Sequence, residues 1–493
     1  MSRRLWSTAA LVLLATACTV DPGVTATRSN QAPGDPIVTN SNGDPTNTTQ
    51  PTDYPLIEGV VDFGERGPAH PEYDGYLTAA FQDIQDFWAE AYPEVYGQPW
   101  QPLSGGIFAG YASRQSPIPG CDPGSQDGTT YQDIQEGTAF YCPLGDFVAY
   151  DDEERLPELV NELGREAVAV VFAHELGHAV QARADEFDQP GVLMEQQADC
   201  FAGAWVARVA SGASDVISFD DNGVRAGLVA MLNVADPIMT DGSNPLATDD
   251  AHGTGFDRVG AFQDGFLGGA QRCKSFFTEG RVNQLIDLPF DVTDENGGNL
   301  PLYDPTGNGV DIVTLIPAGL DQYWTALLQA NNVEFTPPLW QAFSGGDTPS
   351  CDGLDSSVFA QSVVYCAADN TIYWDEDYAN ALAEGAGDMA LGYLFSNAYS
   401  DAVQTALGSN RSGEPRQLLD ACLTGVWTAW TIPSSADKEI RLSAGDLDEA
   451  LVIAIERADE TADANVNGSA FETTDAFRSG VLGGLAQCQT DYP

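Results

Sequence analysis

The pattern of apolar and polar positions predicts two consecutive helices in the first half of the chain. The stretch AVAVVFAHELGHAVQARA has helical periodicity and no proline, which predicts one helix over about 166–184. The segment DEFDQPG, residues 185–191, then predicts a turn. A second helix is expected from residue 192, over VLMEQQADCFAGAWVARV.

The N-terminal end has a different pattern. Residues 1–17 contain two arginines followed by a short apolar run that is too brief to span a bilayer, which predicts a signal peptide. The ATAC that ends at Cys18 resembles a lipobox, so we expect Cys18 to be lipidated, with plain secretion as the alternative. Residues 18–54 are rich in Thr, Asn, Pro, Asp and Gly and predict a disordered tether. The expected location is therefore the outer side of the cell membrane, as a lipoprotein, or the medium.

The sequence also repeats itself. AFQDGFLGGAQRC, which ends at Cys273, recurs as AFRSGVLGGLAQC, which ends at Cys488. CFAGAW from Cys200 recurs as CLTGVW from Cys422, and several further pairs of segments follow in the same order. This ordered self-similarity predicts a tandem duplication of a unit of roughly 200 residues.

The predicted domains are residues 55–290 and residues 291–493, and each contains four cysteines. An even number of cysteines in an exported chain predicts disulfides rather than a thiolate metal site. Matching bridges in the two copies are the simplest arrangement, although swapped pairings within one copy are an alternative. The predicted pairs are Cys121–Cys142, Cys200–Cys273, Cys351–Cys366 and Cys422–Cys488.

The charge is strongly acidic. Seventy-three acidic and 20 basic residues give a formal net charge of −53. This charge argues against nucleic acid or an anionic membrane surface as a partner, because both would be repelled. We interpret it as a solvated acidic surface rather than as a dedicated cation-binding function.

Two histidines and a glutamate in the first predicted helix suggest a metal site. His174 and His178 stand four positions apart, so both imidazoles lie on one face of a helix and can bind one ion. Glu175 points away from that face but remains near the open coordination position, where it can take a proton from a zinc-bound water. A hydrolytic zinc needs a third protein ligand. Glu195 and Asp199, again four positions apart, follow in the second helix.

The second copy provides an internal test of these residues. Every proposed site residue has changed there, while the apolar and cysteine framework is kept. The corresponding residues are Asn397, Ala398, Asp401, Gln417 and Ala421. His252 has also changed, to Asn467, which suggests that His252 stabilises the oxyanion of a tetrahedral intermediate. The alternative is a loop histidine that caps the following helix, and His70 is expected to be a surface residue.

HELGHAVQ, EQQADCFAGAW, FYCPLGDFVAYDD and HGTGFDRVGAFQDGF together resemble the bacterial putative neutral zinc metallopeptidase family, over most of residues 70–275. The resemblance implies a mainly α fold with small β elements (α+β), a zincin-like helical unit. The spacing of Glu195 and Asp199 resembles that of glutamate-ligand zincins. It implies that Glu195 is the third zinc ligand and that Asp199 fixes a ligand histidine, with Asp199 as ligand the alternative.

The resulting hypothesis is an exported, lipid-anchored zinc metallopeptidase with one Zn²⁺ per chain. Glu175 is the general base, and the second copy lacks the zinc site. The expected partner is a peptide or protein substrate; no nucleic acid is expected, and the membrane is contacted only through Cys18. The alternatives are a non-catalytic cell-surface scaffold lipoprotein, with structural zinc or none, and a zinc buffer. Glu175 favours the enzyme, since a structural zinc site would not need it.

Overall fold

A computed structural model describes most of the chain after residue 53. The described residues are 54–121, 128–135, 137–236, 252–278, 281, 285–286, 288, 298–344, 347–432, 440–459 and 469–492. The predicted signal peptide, Cys18 and Asn467 lie outside them, as does the predicted tether except for its last residue. None of the described helices is long and apolar enough to cross a lipid bilayer.

The chain forms two compact units. The N-terminal unit comprises Ile37–Asp236 and Leu246–Leu285. The described residues of the C-terminal unit lie within Ile286–Pro493. Helices dominate both units and each has one small sheet, which confirms the predicted mainly α fold with small β elements.

The described residues of the N-terminal unit form seven helices and a three-stranded sheet. The helices are α1 (Asp74–Tyr96), α2 (Tyr131–Gln135), α3 (Arg155–Leu163), α4 (Arg165–Ala184), α5 (Gly191–Ala210), α6 (Asp221–Asn233) and α7 (Gly255–Lys274). The strands are β1 (Gly106–Gly110), β2 (Ala139–Cys142) and β3 (Phe147–Asp151), in the order β1-β3-β2. β1 is parallel to β3, and β2 is antiparallel to it.

The C-terminal unit has six helices among the residues described there, and a sheet of the same topology. The helices are α8 (Ile312–Ala330), α9 (Glu376–Ala386), α10 (Asp388–Ala406), α11 (Glu414–Thr431), α12 (Asp446–Asp459) and α13 (Ala470–Asp491). The strands β4 (Leu339–Phe343), β5 (Val363–Cys366) and β6 (Thr371–Asp375) follow the order β4-β6-β5, again with one parallel and one antiparallel pair.

Helix α4 lies in the core of the N-terminal unit. Most of its side chains from Ala167 to Gln181 are buried, and it contacts α1, α3, α5, α6 and β2. A helix that is apolar on nearly every face is stable only where neighbours cover all of those faces. The turn that ends α4 begins at Asp185, in the left-handed conformation (φ 60°), and α5 then runs back along α4. The predicted helix–turn–helix arrangement is therefore present.

The cysteines are joined as the sequence predicts. The four disulfides are Cys121–Cys142, Cys200–Cys273, Cys351–Cys366 and Cys422–Cys488. In each unit the longer bridge joins a central helix to the last helix, α5 to α7 and α11 to α13.

His70, predicted to be a surface residue, is partly buried. Its side chain is 20% exposed, it stacks on the ring of Tyr73, and its Nε2 lies 3.0 Å from the backbone oxygen of Asp152. This partial burial comes from the end of β3, which is distant in sequence and close in space.

Glycines bring the bridged helices unusually close together. A Cβ on Gly203 of α5 would lie 1.9 Å from the backbone oxygen of Phe262 in α7, and one on Gly265 would lie 1.8 Å from that of Cys200. The C-terminal unit repeats this contact, because a Cβ on Gly480 of α13 would lie 1.9 Å from the backbone oxygen of Cys422. Only glycine allows two helix backbones to approach in this way.

We predict that Gly480→Ala lowers the free energy of unfolding of the C-terminal unit by about 1–3 kcal/mol, because the helices must separate to accept the methyl group. Gly385→Ala is the control: Gly385 lies in α9, and a Cβ there meets nothing within 4 Å. That control should leave the unit equally stable or more stable by up to about 1 kcal/mol. Urea unfolding of the two variants measures both effects, and equal midpoints would contradict the close-packing argument.

Candidate metal centre

The two helices bring the predicted histidines and Glu195 together. His174 and His178 lie on one face of α4, and Glu195 lies in the first turns of α5. The Nε2 atoms of the histidines are 3.1 Å apart. Glu195 Oε2 is 3.1 Å from His174 Nε2, and Glu195 Oε1 is 3.3 Å from His178 Nε2. These three side chains form one of two groups of potential metal ligands in the described part of the chain.

Hydrogen bonds on the far side of each imidazole fix which nitrogen faces the cluster. His174 Nδ1 lies 2.8 Å from Asp199 Oδ1, a carboxylate oxygen that can only accept. His178 Nδ1 lies 2.9 Å from Gln181 Oε1, and the amide nitrogen of Gln181 donates to the backbone oxygen of Met194. Both Nδ1 atoms are therefore donors. In the neutral imidazoles, both Nε2 atoms then carry lone pairs that point into the cluster.

The three clustered side chains require positive charge between them. Two neutral Nε2 atoms and a carboxylate are all acceptors, and they would repel one another without a cation or protons between them. Glu195 Oε2 is buried and accepts no hydrogen bond from the described part of the chain. Two ligands bound tetrahedrally to one zinc at about 2.0–2.1 Å would lie about 3.4 Å apart. The separations of 3.1, 3.1 and 3.3 Å among these three side chains are close to that value.

The pKa values of the three clustered groups show the same requirement for positive charge. Burial alone would lower the pKa of His174, but Asp199 and Glu195 outweigh it and raise this pKa to about 10. The pKa of His178 is also raised, because Glu195 overcomes the effect of burial. Burial would raise the pKa of Glu195, yet the two imidazoles hold it well below its usual range. A divalent cation bound between these side chains would supply the same positive charge while both imidazoles stay neutral.

Asp199 lies behind His174 rather than in the cluster. Its side chain is completely buried, and its Oδ1 accepts from the imidazole nitrogen that faces away from His178 and Glu195. This arrangement corresponds to the role in which Asp199 fixes the tautomer of a ligand histidine. It does not correspond to the alternative in which Asp199 is itself a ligand.

Arg258 is a site residue that the sequence analysis missed. Its Nε donates to Asp199 Oδ2 at 2.9 Å and its Nη2 donates to Asp199 Oδ1 at 2.8 Å, in the two-pronged geometry that arginine forms with carboxylates. Burial would raise the pKa of Asp199, but Arg258 and His174 keep it below its usual value. The self-similarity of the sequence contains a usable signal, because Thr473 stands opposite Arg258.

Glu175 is buried without a hydrogen bond or ion pair among the described residues. It is 8% exposed and follows His174 directly in α4, and its charge contributes to the raised pKa of His178. A carboxylate next to the cluster with no competing donor can accept a proton from a bound water.

His252 is not part of the converging cluster. Its side chain is 48% exposed, and its Nδ1 lies 3.0 Å from Asp236 Oδ1. The alternative role as the cap of the following helix is wrong, because the side chain of Thr254 accepts from Asp257 N at the start of α7. The loop nevertheless passes close to α5, since a Cβ on Gly253 would lie 3.3 Å from the amide nitrogen of Gln196.

The equivalent positions in the C-terminal unit hold an ion pair. Asp401, opposite His178, pairs with Arg416, which precedes the Gln417 that stands opposite Glu195. Gln404 keeps the role of Gln181, because its amide nitrogen donates to the backbone oxygen of Arg416 at 2.7 Å. Among the described residues of that unit, no group of potential metal ligands forms at this place.

We predict that Arg258→Met lowers the free energy of unfolding of the N-terminal unit by about 3–5 kcal/mol, because it leaves the buried Asp199 carboxylate without its cation. The control is Arg155→Met, which removes an ion pair with Glu158 in which both side chains are more than half exposed. That control should change stability by less than about 1 kcal/mol. Equal losses in the two variants, measured by denaturant unfolding, would mean that Arg258 does not support the buried carboxylate.

Comparison with known proteins relates the part of the chain that carries this site to one family model. The sequence model of the family described as "Putative neutral zinc metallopeptidase" matches residues 129–276, a narrower range than the resemblance in the sequence suggests. Uncharacterized proteins of Mycobacterium bovis and Mycobacterium tuberculosis are 31% identical over 164 residues, covering 28% of this chain and 51% of each relative. The uncharacterized protein YpfJ of Escherichia coli K12 is 30% identical over 158 residues, covering 28% of this chain and 53% of YpfJ.

The chain therefore spans about half the length of the curated relatives it matches. No solved structure matches it. The matched range contains all the residues of the cluster together with Glu175, Asp199, His252 and Arg258. The segment 129–276 of this chain is similar to the family described as "Putative neutral zinc metallopeptidase".

Proposed function

We propose that the N-terminal unit is a zinc-dependent peptidase that hydrolyses peptide bonds in a peptide or protein substrate. One Zn²⁺ per chain is held by His174, His178 and Glu195. The observation that carries the proposal is the convergence of two Nε2 atoms and a carboxylate within 3.3 Å, with both Nδ1 atoms engaged elsewhere. The match to a family of zinc metallopeptidases supports the choice of metal.

The residues of the chain have distinct roles in this proposal. Zinc would supply the Lewis acidity that polarises the scissile carbonyl and acidifies water. Glu175 accepts the proton of the attacking water and returns it to the leaving amine. Asp199 and Gln181 hold the two imidazoles in the tautomer that presents Nε2, and Arg258 holds Asp199. His252, beside the helix that carries Glu195, stabilises the oxyanion.

The C-terminal unit is proposed to be a degenerate copy, the product of a tandem duplication. The support is the common sheet topology, the matching pair of disulfides and the repeated glycine contact between bridged helices. Its Asp401–Arg416 ion pair stands where a metal would be held, so we assign it no hydrolytic activity.

The chain is also proposed to act outside the cytoplasm, anchored through a lipidated Cys18. Four disulfides support an oxidising compartment. The polar segment of residues 18–54 would then separate the peptidase from the membrane surface.

Glu175→Gln should retain one zinc per chain and lose peptidase activity by about 10²–10⁴-fold, because the amide cannot accept the proton of the attacking water. His174→Ala should lose both the zinc and the activity. Metal analysis combined with hydrolysis of casein or a peptide library measures the two properties separately. Glu166→Gln, at a partly exposed position in the first turn of the same helix, is the control and should keep both.

Three results would each count against the peptidase. Activity that persists in Glu175→Gln would remove the proposed proton acceptor. Zinc without hydrolysis in the unaltered chain would favour a structural or buffering role. Zinc retained in His174→Ala would place the metal elsewhere.

Cys18→Ala should release the protein from the membrane fraction into the medium or the soluble cell-envelope fraction, because no lipid could then be attached at that position. Fractionation of producing cells, with detection of the protein in each fraction, measures this. An unchanged distribution between the fractions would contradict anchoring through Cys18.

A further inference from the structure

A second group of potential metal ligands lies in the C-terminal unit. Asp388 is the first residue of α10, and Asp446 and Glu449 lie in the first turn of α12. One carboxylate oxygen from each residue lies within 4.8 Å of the others. Asp388 is 6% exposed and Asp446 is 3% exposed, while Glu449 is partly exposed. We call this group the carboxylate cluster.

Backbone donors hold the three carboxylates in place. Leu300 N donates to Asp388 Oδ2 at 2.8 Å, and Met389 N donates to Glu449 Oε2 at 2.9 Å. Ser443 donates its N and its Oγ to the two oxygens of Asp446. The cluster is therefore a built arrangement rather than a chance approach of mobile surface acids.

A glycine allows Glu449 to reach the cluster. Gly387, which precedes α10, has φ 95°, and a Cβ on it would lie 2.0 Å from the carboxyl carbon of Glu449. Any other residue at this position would both strain the backbone and displace the Glu449 carboxylate.

The cluster has no positive charge to balance it. None of its three carboxylates forms an ion pair with a Lys, Arg or His in the described part of the chain. Asp388 Oδ1 is buried and has no hydrogen-bond partner. Burial raises the pKa of Asp388 to about 6, and burial and mutual repulsion raise the pKa values of Asp446 and Glu449 well above their usual range. Buried carboxylates are costly unless they are paired or bind a metal ion.

The described residues of the N-terminal unit contain no such carboxylate cluster. When the two copies are aligned through His174 and Asn397, Arg165 stands opposite Asp388. Both residues begin a helix after a glycine with positive φ, so the backbone is similar and only the side chain differs. In the N-terminal unit Arg165 pairs with Glu166. The three carboxylates are thus a feature of the copy that lacks the histidine site.

We propose that the carboxylate cluster is a Ca²⁺ site that stabilises the C-terminal unit. All three ligands are hard oxygen donors, without imidazole or thiolate, which is the donor set for calcium or magnesium and not for zinc. Calcium accepts irregular carboxylate geometry, whereas magnesium requires a near-ideal octahedron and keeps several waters. The buried position of two of the three acids therefore favours calcium. The partly exposed Glu449 provides the side from which the ion enters.

The experiment uses the full chain, freed of divalent ions with a chelator and then dialysed against Ca²⁺ or Mg²⁺ alone. The expected results are one tightly bound Ca²⁺ per chain in metal analysis and a rise of several degrees in the unfolding temperature of the C-terminal unit with Ca²⁺. Mg²⁺ should give a smaller rise. No calcium retention, no thermal shift, or a larger shift with Mg²⁺ would each overturn the assignment.

Asp388→Asn is the test variant. Its amide oxygen can still accept from Leu300 N and its amide nitrogen can donate to Glu449, so the apo protein should fold and be at least as stable as the unaltered chain. The affinity for Ca²⁺ should fall at least about 10-fold. Asp446→Asn is the second variant, in case the first does not fold, and should lose the calcium response in the same way.

Two controls separate this site from general acidity and from the histidine site. Asp377→Asn removes an exposed acid of α9 in the same unit and should leave the calcium response unchanged. His174→Ala should also keep it, so failure of the zinc proposal would not affect this result. A calcium response that persists in Asp388→Asn, or is lost in Asp377→Asn, would mean that calcium binds the acidic surface instead.

Discussion

The N-terminal unit is organised around two imidazole nitrogens that point at each other across 3.1 Å. Neutral Nε2 atoms repel at that distance, so the arrangement is stable only if a cation or protons lie between them. The hydrogen bonds from the two Nδ1 atoms to Asp199 and Gln181 prevent either ring from turning its other nitrogen inward. The orientation of the two imidazole rings therefore depends on Asp199, on Arg258 and on the turn between α4 and α5.

The close packing of α5 against α7 links that constraint to the rest of the fold. Asp199 is next to Cys200, which is bonded to Cys273 in α7, and Arg258 lies in the first turns of α7. Gly203 and Gly265 allow the two helix backbones to touch. The guanidinium of Arg258 is therefore close enough to form both of its hydrogen bonds with Asp199. The same close contact recurs between α11 and α13, where the sequence has no counterpart of the Asp199–Arg258 ion pair. The framework therefore does not depend on the metal site.

The sequence predicted those parts of the site that follow from local spacing or from the repeat. His174, His178 and Glu195 followed from helical periodicity and resemblance, and the disulfide pairing followed from comparing the two copies. Arg258 was missed because its role depends on contact between helices 59 residues apart. The contacts of His70 with the end of β3 and the carboxylate cluster were missed for the same reason, since both depend on tertiary contacts that a local pattern does not encode.

The two units show how one framework can accommodate different charges. At the position of the histidine cluster, the C-terminal unit has an aspartate and an arginine that neutralise each other, and so needs no external cation there. At the start of α10 it is the C-terminal unit that has the unbalanced charge, because Asp388 faces two further acids. Arg165, at the corresponding position of the N-terminal unit, pairs with its own neighbour. A buried charge must be balanced within the fold or by a bound ion. Among the described residues, each unit therefore contains one group of potential metal ligands, the histidine cluster in one and the carboxylate cluster in the other, and these are the places where the proposed metal ions would balance the charge.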